Sequence, residues 1–169
     1  MKKDKLWMMG IILFIIMADQ VTKFIVERTI GLREEIHIIP NFLYFTHTRN
    51  PGFTGGIVPP GGVTFLIIVT VIALGVFFYL AKDVNFKNLF FYSLGITLLI
   101  GGAIGNFLDR LFRYDQRVVD FIGTIFFGWR FYVFNIADMA LTVGMIAFAL
   151  DVFILEPRRK GGETDESHA

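Results

Sequence analysis

The sequence contains no cysteine. No disulfide can staple the chain, no thiolate can bind a metal or attack a substrate, and cysteine usage gives no sign of the redox compartment. Serine is almost as scarce, limited to Ser93 and Ser167. Ser167 lies in the tail, and Ser93, near the cytoplasmic end of the third span, has no histidine placed to activate it, which argues against a serine triad. The three histidines, His37, His47 and His168, lack the close His-Glu spacing of a zinc peptidase. No metal and no cofactor is implied. Charge is sparse too, at 18% of residues and a net +1, so there is no basic footprint for a nucleic-acid partner.

What the chain has is apolar sequence, 54% of its 169 residues. Runs of about 20 residues match the ~30 Å thickness of a bilayer's hydrocarbon core. The spans are read as Leu6 to Val26, Val63 to Ala81, Leu89 to Leu108 and Ile136 to Leu155. Lys2, Lys3 and Lys5 ahead of the first run resemble the start of a signal peptide, but no small-x-small cleavage site follows. A retained first helix is therefore expected. The expectation is a single integral membrane domain over residues 1–157, with Pro157 stopping the last helix and a polar, disordered cytoplasmic tail over 158–169.

An even number of spans puts both termini on one side, together with Lys82 and Lys87. Raw Lys/Arg counts nearly tie across the membrane, and the N-terminal lysine cluster decides for cytoplasmic termini. Two stretches on the outer side have strand character. Glu35 to Thr48, punctuated by Pro40-Asn41, reads as two short strands, and Val118 to Phe121 and Ile125 to Phe134 read similarly. The fold class is thus an all-α membrane bundle of four helices with a small extramembrane β-sheet lying on the outer face. Gly52 to Gly62, with five glycines and two prolines, reads as a mobile loop.

Chain tracing brings Asp19, Asp109, Asp120 and Asp138 near that same face. Carboxylates at membrane depth are expensive, and several converging there point to a functional site. Simpler readings exist. Asp19 and Lys23, four apart on one helix face, can neutralise each other; Asp109-Arg110 can be an interfacial anchor; Asp151 can be an interface residue at the cytoplasmic end. Asp120, within Val118-Val119-Asp120-Phe121-Ile122, and Asp138, after Phe134-Asn135-Ile136-Ala137, have no cation beside them in sequence. A carboxylate pair, one ionised and one protonated, suffices to activate water. The rival is a small ion- or proton-coupled transporter, which would spread its acids through the membrane depth.

Three blocks in order, Gly102-Ala103-Ile104-Gly105-Asn106-Phe107-Leu108-Asp109-Arg110, Val118-Val119-Asp120-Phe121 and Phe134-Asn135-Ile136-Ala137-Asp138, resemble the signature of bacterial lipoprotein signal peptidase (signal peptidase II). Asp19-Gln20-Val21-Thr22-Lys23 is similar to a further block, and the likeness spans nearly the whole chain. The resemblance implies an aspartic endopeptidase of the bacterial inner membrane, its active site near the outer face. It would remove signal peptides from prolipoproteins whose lipobox cysteine carries a diacylglyceryl group. It implies Asp120 and Asp138 as the catalytic dyad. Asn106, Asp109, Arg110 and Asn135 would support the site or position substrate, Asp19 and Lys23 would maintain it, and membrane lipids would surround a monomer. Asn50 and Gly52 match one more block, but Pro51-Gly52-Phe53-Thr54-Gly55-Gly56 departs from the family pattern beyond Gly52.

Overall fold

A computed structural model describes residues 2–52 and 57–159 of the chain. Helix α1 spans Lys2–Thr29, α2 Gly62–Leu80, α3 Phe90–Phe112 and α4 Ile136–Leu150, and all four are long and apolar enough to cross a membrane. A 3-10 turn, Ala81–Asp83, extends α2. At ~1.5 Å per residue, the 28 residues of α1 exceed the hydrocarbon core. Val26 in its last turns and Ile30 just past its end meet the sheet.

Helix α3 is the central element. Ile96, Leu99 and Ile100 are buried there against Ile12 of α1 and Leu74 of α2. Without a hydrophobic drive between helices in lipid, close backbone approach does the packing. Glycine permits it: a Cβ at Gly95 would lie 2.7 Å from the Phe148 nitrogen, and one at Gly102 would lie 2.5 Å from the Ala137 carbonyl oxygen. This brings the start of α4 against the C-terminal half of α3.

The sheet is antiparallel in the order β1 (Glu35–Ile39), β2 (Leu43–Asn50), β3 (Val118–Phe126) and β4 (Trp129–Arg130). Phe45, Ile122 and Ile136 pack against a buried cluster made of Val26 of α1, Ile30 just past its end, Val119 and Phe121. The four-span bundle with a small sheet is as expected from sequence.

Several boundaries differ. Helix α1 runs beyond Val26, and α3 runs four residues beyond Leu108, because the ends are set by tertiary partners rather than hydropathy. Strand β3 does not break after Phe121. Gly123 continues it, with the Tyr44 ring lying across the space a side chain would fill. Strand β4 is correspondingly two residues long, and Phe134 contributes only an isolated bridge to Ile122. Pro157 does not stop the last helix. A wider π turn over Asp151–Leu155 precedes it, accommodating a ring that would clash with the carbonyl four residues back, and the helix continues to Arg159. Asp151 is buried and accepts both guanidinium arms of Arg159. Residues 160–169 of the expected tail and residues 53–56 of the expected loop lie outside the described residues.

Candidate active site

Asp138 is placed by helix initiation. Asn135 is the N-cap of α4, its Oδ1 accepting the Asp138 backbone N–H at 2.9 Å, while Asp138 Oδ2 accepts the Asn135 N–H at 3.2 Å. This reciprocal capping box satisfies two orphan donors of the first turn. Asp138 Oδ1 is left to the site, where Asn106 Nδ2 donates to it at 2.7 Å.

Asp120 lies mid-strand in β3, opposite Thr48, and is buried. Asn50 Nδ2 donates to its Oδ2 at 2.8 Å, and Asn135 Nδ2 to its Oδ1 at 2.6 Å. Asn135 thus touches both carboxylates, one through its backbone and the other through its side chain. Burial, followed by repulsion from the Asp138 carboxylate, pushes Asp120 up to about 7 from its ordinary 3.8, against the amide hydrogen bonds of Asn50 and Asn135.

Behind the pair lies a buried ion cluster. Lys23 Nζ sits 2.7 Å from Asp19 Oδ2 and 2.8 Å from Asp109 Oδ2, with all three side chains fully shielded, and donates to Asn106 Oδ1 at 3.1 Å. Removing ions from water is costly unless each is paired and hydrogen-bonded. Here the remaining lone pairs are used. Asp19 Oδ1 accepts the Ala137 N–H at 3.0 Å, and Asp109 Oδ2 accepts the Val119 N–H at 3.2 Å. Ala137 immediately precedes Asp138 and Val119 immediately precedes Asp120. The cluster therefore grips the backbone one residue before each carboxylate. The intrahelical Asp19–Lys23 pair is the one expected from sequence, whereas Asp109 is no interfacial anchor: it is the buried second anion of Lys23.

Arg110 donates to the Asn106 carbonyl at 3.2 Å and to the Gly52 carbonyl at 2.9 Å. The Gly52 N–H in turn donates to Asn50 Oδ1 at 2.9 Å, which leaves the Asn50 amide directed at Asp120. A Cβ at Gly52 would fall 2.0 Å from the Ile57 carbonyl oxygen, so only glycine fits. Every residue for which the resemblance implied a part in the site joins this one network.

Other members were not singled out. Gln20 Nε2 donates to Asp109 Oδ1 at 3.0 Å and to Asp19 Oδ2 at 3.2 Å, tying the two anions together. Its place three before Lys23 was the available signal. Arg113 Nε donates to Asp109 Oδ1 at 2.8 Å and pairs with Glu27, which also takes Arg49 at 2.5 Å. That relay joins α1, β2 and α3, and no local spacing announces it.

Cavities meet at the carboxylates. One of about 270 Å³ is lined by Thr48, Asn50, Asp120 and Tyr132. A second, about 480 Å³, runs between α2, α3 and α4 past Leu66, Ala73 and Phe77 and reaches Asn106, Arg110 and Asp138. A third, about 380 Å³ and almost wholly apolar, lies between Phe131–Phe134 and the outer flank of α4, with Asp138 at its edge.

Residues 11–154 match the family described as signal peptidase (SPase) II. The chain is 40% identical over 152 residues to a lipoprotein signal peptidase of Listeria monocytogenes serotype 4a, covering 89% of this chain and 96% of that protein. It is 43% identical over 137 residues to a lipoprotein signal peptidase of Staphylococcus aureus, covering 80% and 81%. Among solved structures it resembles a bacterial membrane enzyme determined by the in meso method at 2.3 Å resolution, with a TM-score of 0.77, 39% identity, and coverage of 86% of this chain and 87% of that one. A second such structure, at 1.9 Å resolution, gives a TM-score of 0.76 at 38% identity.

Proposed function

The chain belongs to the signal peptidase II family of aspartic peptidases, and from that premise we propose that Asp120 and Asp138 are its catalytic dyad. It is a multi-pass bacterial membrane hydrolase that cleaves the signal peptides of prolipoproteins. The observation carrying the dyad assignment is Asn135, whose backbone and side chain bind the two carboxylates at once.

In the proposed reaction one carboxylate, ionised, takes a proton from the attacking water. The hydroxyl adds to the scissile carbonyl carbon, the C–N bond breaks, and the departing amine takes a proton from the other, protonated acid. The Asp120 value of about 7 supports one shared proton at neutral pH. Asn50, Asn106 and Asn135 orient the acids, Asp19, Lys23 and Asp109 hold their backbones, and Arg110 and Gly52 fix Asn50. The apolar signal peptide runs along the groove between α2, α3 and α4, while acyl chains of a diacylglyceryl-modified cysteine occupy the groove beside Phe131–Phe134. The chain acts as a monomeric single domain, with cytoplasmic termini and a site near the outer face. The lysine cluster before α1 supports that orientation.

The test is incubation of purified protein in detergent with lipobox peptides, with and without the diacylglyceryl group. Cleavage before the cysteine of the modified peptide alone is expected. Equal cleavage of both peptides would remove the lipid from the recognition.

A further inference from the structure

The sheet is two-faced. Pairing places His37, Tyr44 and Gly123 in one row, and on the same face Arg130 donates to both oxygens of Glu35 at 2.6 and 3.1 Å while lying over the Tyr44 ring at 5.2 Å. The opposite face carries the rows Ile36, Phe45, Ile122 and Phe126, Trp129. Phe45 and Ile122 of this face pack against the cluster that holds Val26 of α1 and Ile30 just past its end. The apolar face is therefore turned toward the bundle, and hence toward the plane of the membrane the bundle crosses.

Beyond its contact with α1 that face continues without a protein partner among the described residues. Ile36, Phe42, Phe126 and Trp129 are exposed there, Trp129 by 81%. The turn joining β3 to β4 adds Phe127, fully exposed, at φ 49° beside Gly128 at φ 81°. Positive φ at both central positions is the hairpin turn that favours Asn-Gly. A bulky aromatic is unusual in the left-handed region. Phe127 gains no packing from the fold, so its place is explained by something outside it. Next along the chain, Phe131 and Tyr132 line one groove with Met139 and Val143, the outward flank of α4. The overhang is thus continuous with the lipid-facing surface of a span.

We propose that this corner of the sheet, with the Phe126–Trp129 turn as its tip, docks into the interfacial zone of the adjoining leaflet, its partner being the boundary between phospholipid headgroups and acyl chains. Aromatic side chains favour that zone because their bodies are apolar and the indole N–H still reaches polar groups. The polar row of Glu35, His37 and Arg130 faces water, as an interfacial element requires. Docking fixes the height of β3, and with it Asp120, against the membrane. That consequence, unlike the docking itself, rests on the dyad reading above.

The sequence makes the test direct, because Trp7 and Trp129 are its only tryptophans. Trp7→Phe leaves Trp129 as the sole reporter, in protein reconstituted into phosphatidylglycerol and phosphatidylcholine vesicles. Its emission should be blue-shifted from that of tryptophan in water, resistant to acrylamide, and quenched more by lipids brominated high on the acyl chain than near its end. This reading needs no activity, so it stands or falls apart from the proposed chemistry. Full acrylamide quenching with indifference to brominated lipid would overturn the proposal and leave the face to a second copy or a peptide. A second arm uses Phe127→Asn with Trp129→Gln, which suits the turn and removes the aromatics. Cleavage of a vesicle-embedded substrate should fall several-fold while cleavage in detergent micelles is retained. Equal loss in both media, or none in either, would contradict the height-setting role.

Discussion

At the scale of single residues, the site combines a carboxylate that resists ionisation, Asp120, with a buried cation, Lys23. Asp120 titrates near 7 instead of 3.8, so the folded state binds its proton more tightly than the unfolded chain does. The stability this proton provides is fully present below about pH 4 and is lost as the pH rises through about 7, a difference on the order of 4 kcal/mol. Asp120→Asn removes the ionisation, so its melting temperature relative to the wild type should climb across that window and level off above it, as read by thermal unfolding in detergent. A difference independent of pH would contradict the raised value. Lys23 contributes through its ion pairs. Lys23→Met leaves Asp19 and Asp109 buried without their shared cation, at a cost of about 3–5 kcal/mol. Folded yield and cleavage should fall together, and more than for Asp19→Asn, which keeps an oxygen for the Ala137 N–H. An unchanged melting temperature for Lys23→Met would remove the cluster from its supporting role. Asp120 and Asp138 stood out in the sequence because each lies in apolar surroundings with no cation beside it. The role of Asp109 did not, since its partner Lys23 lies on another helix, and Arg110 next to it in sequence makes no ion pair with it.

At the scale of elements, apolar run length marked the four spans, while their ends depended on tertiary contact. Helix α3 continues to Phe112 because Asp109 is needed inside, against Lys23, and Arg113 follows one turn later to pair with it. The continuity of β3 through Gly123 depends on the Tyr44 ring across the sheet, a partner that period-two patterning along one strand cannot supply. The passage through Pro157 depends on a π turn that no sequence rule announces. The α3–α4 seam is the element most tightly joined to the chemistry. A Cβ at Gly102 would be 2.5 Å from the Ala137 oxygen and 2.8 Å from the Leu141 side chain. Gly102→Val must therefore push the first turn of α4 outward, carrying Asp138 away from Asn106. Cleavage should drop by roughly 100-fold, as expected for ångström-scale misplacement, in protein that still inserts into the membrane. Near-normal turnover would show that α4 can shift without moving its carboxylate.

At the scale of the whole molecule, a bundle and a sheet divide one site between them: α4 brings Asp138, β3 brings Asp120, and α1 and α3 supply the cluster that ties them. The arrangement requires the sheet and the outer ends of the helices to lie on one side of the membrane. With cytoplasmic termini, reporter fusions after Lys82 and after Arg117 should report opposite compartments, the first inside and the second outside. The same compartment for both would break the four-span topology. The convergence of Asp19, Asp109, Asp120 and Asp138 on one cluster also sets this chain apart from an ion-coupled transporter, whose carboxylates would be distributed through the depth. The central claim is that hydrolysis needs both carboxylates, and the most direct measurement is the cleavage rate of a diacylglyceryl-modified lipobox peptide by purified Asp120→Asn and Asp138→Asn proteins that insert and bind substrate normally. Each should be slower by orders of magnitude, because the amide preserves shape but cannot exchange the proton. Substantial cleavage by either variant, with deamidation back to aspartate excluded by mass, would contradict the dyad.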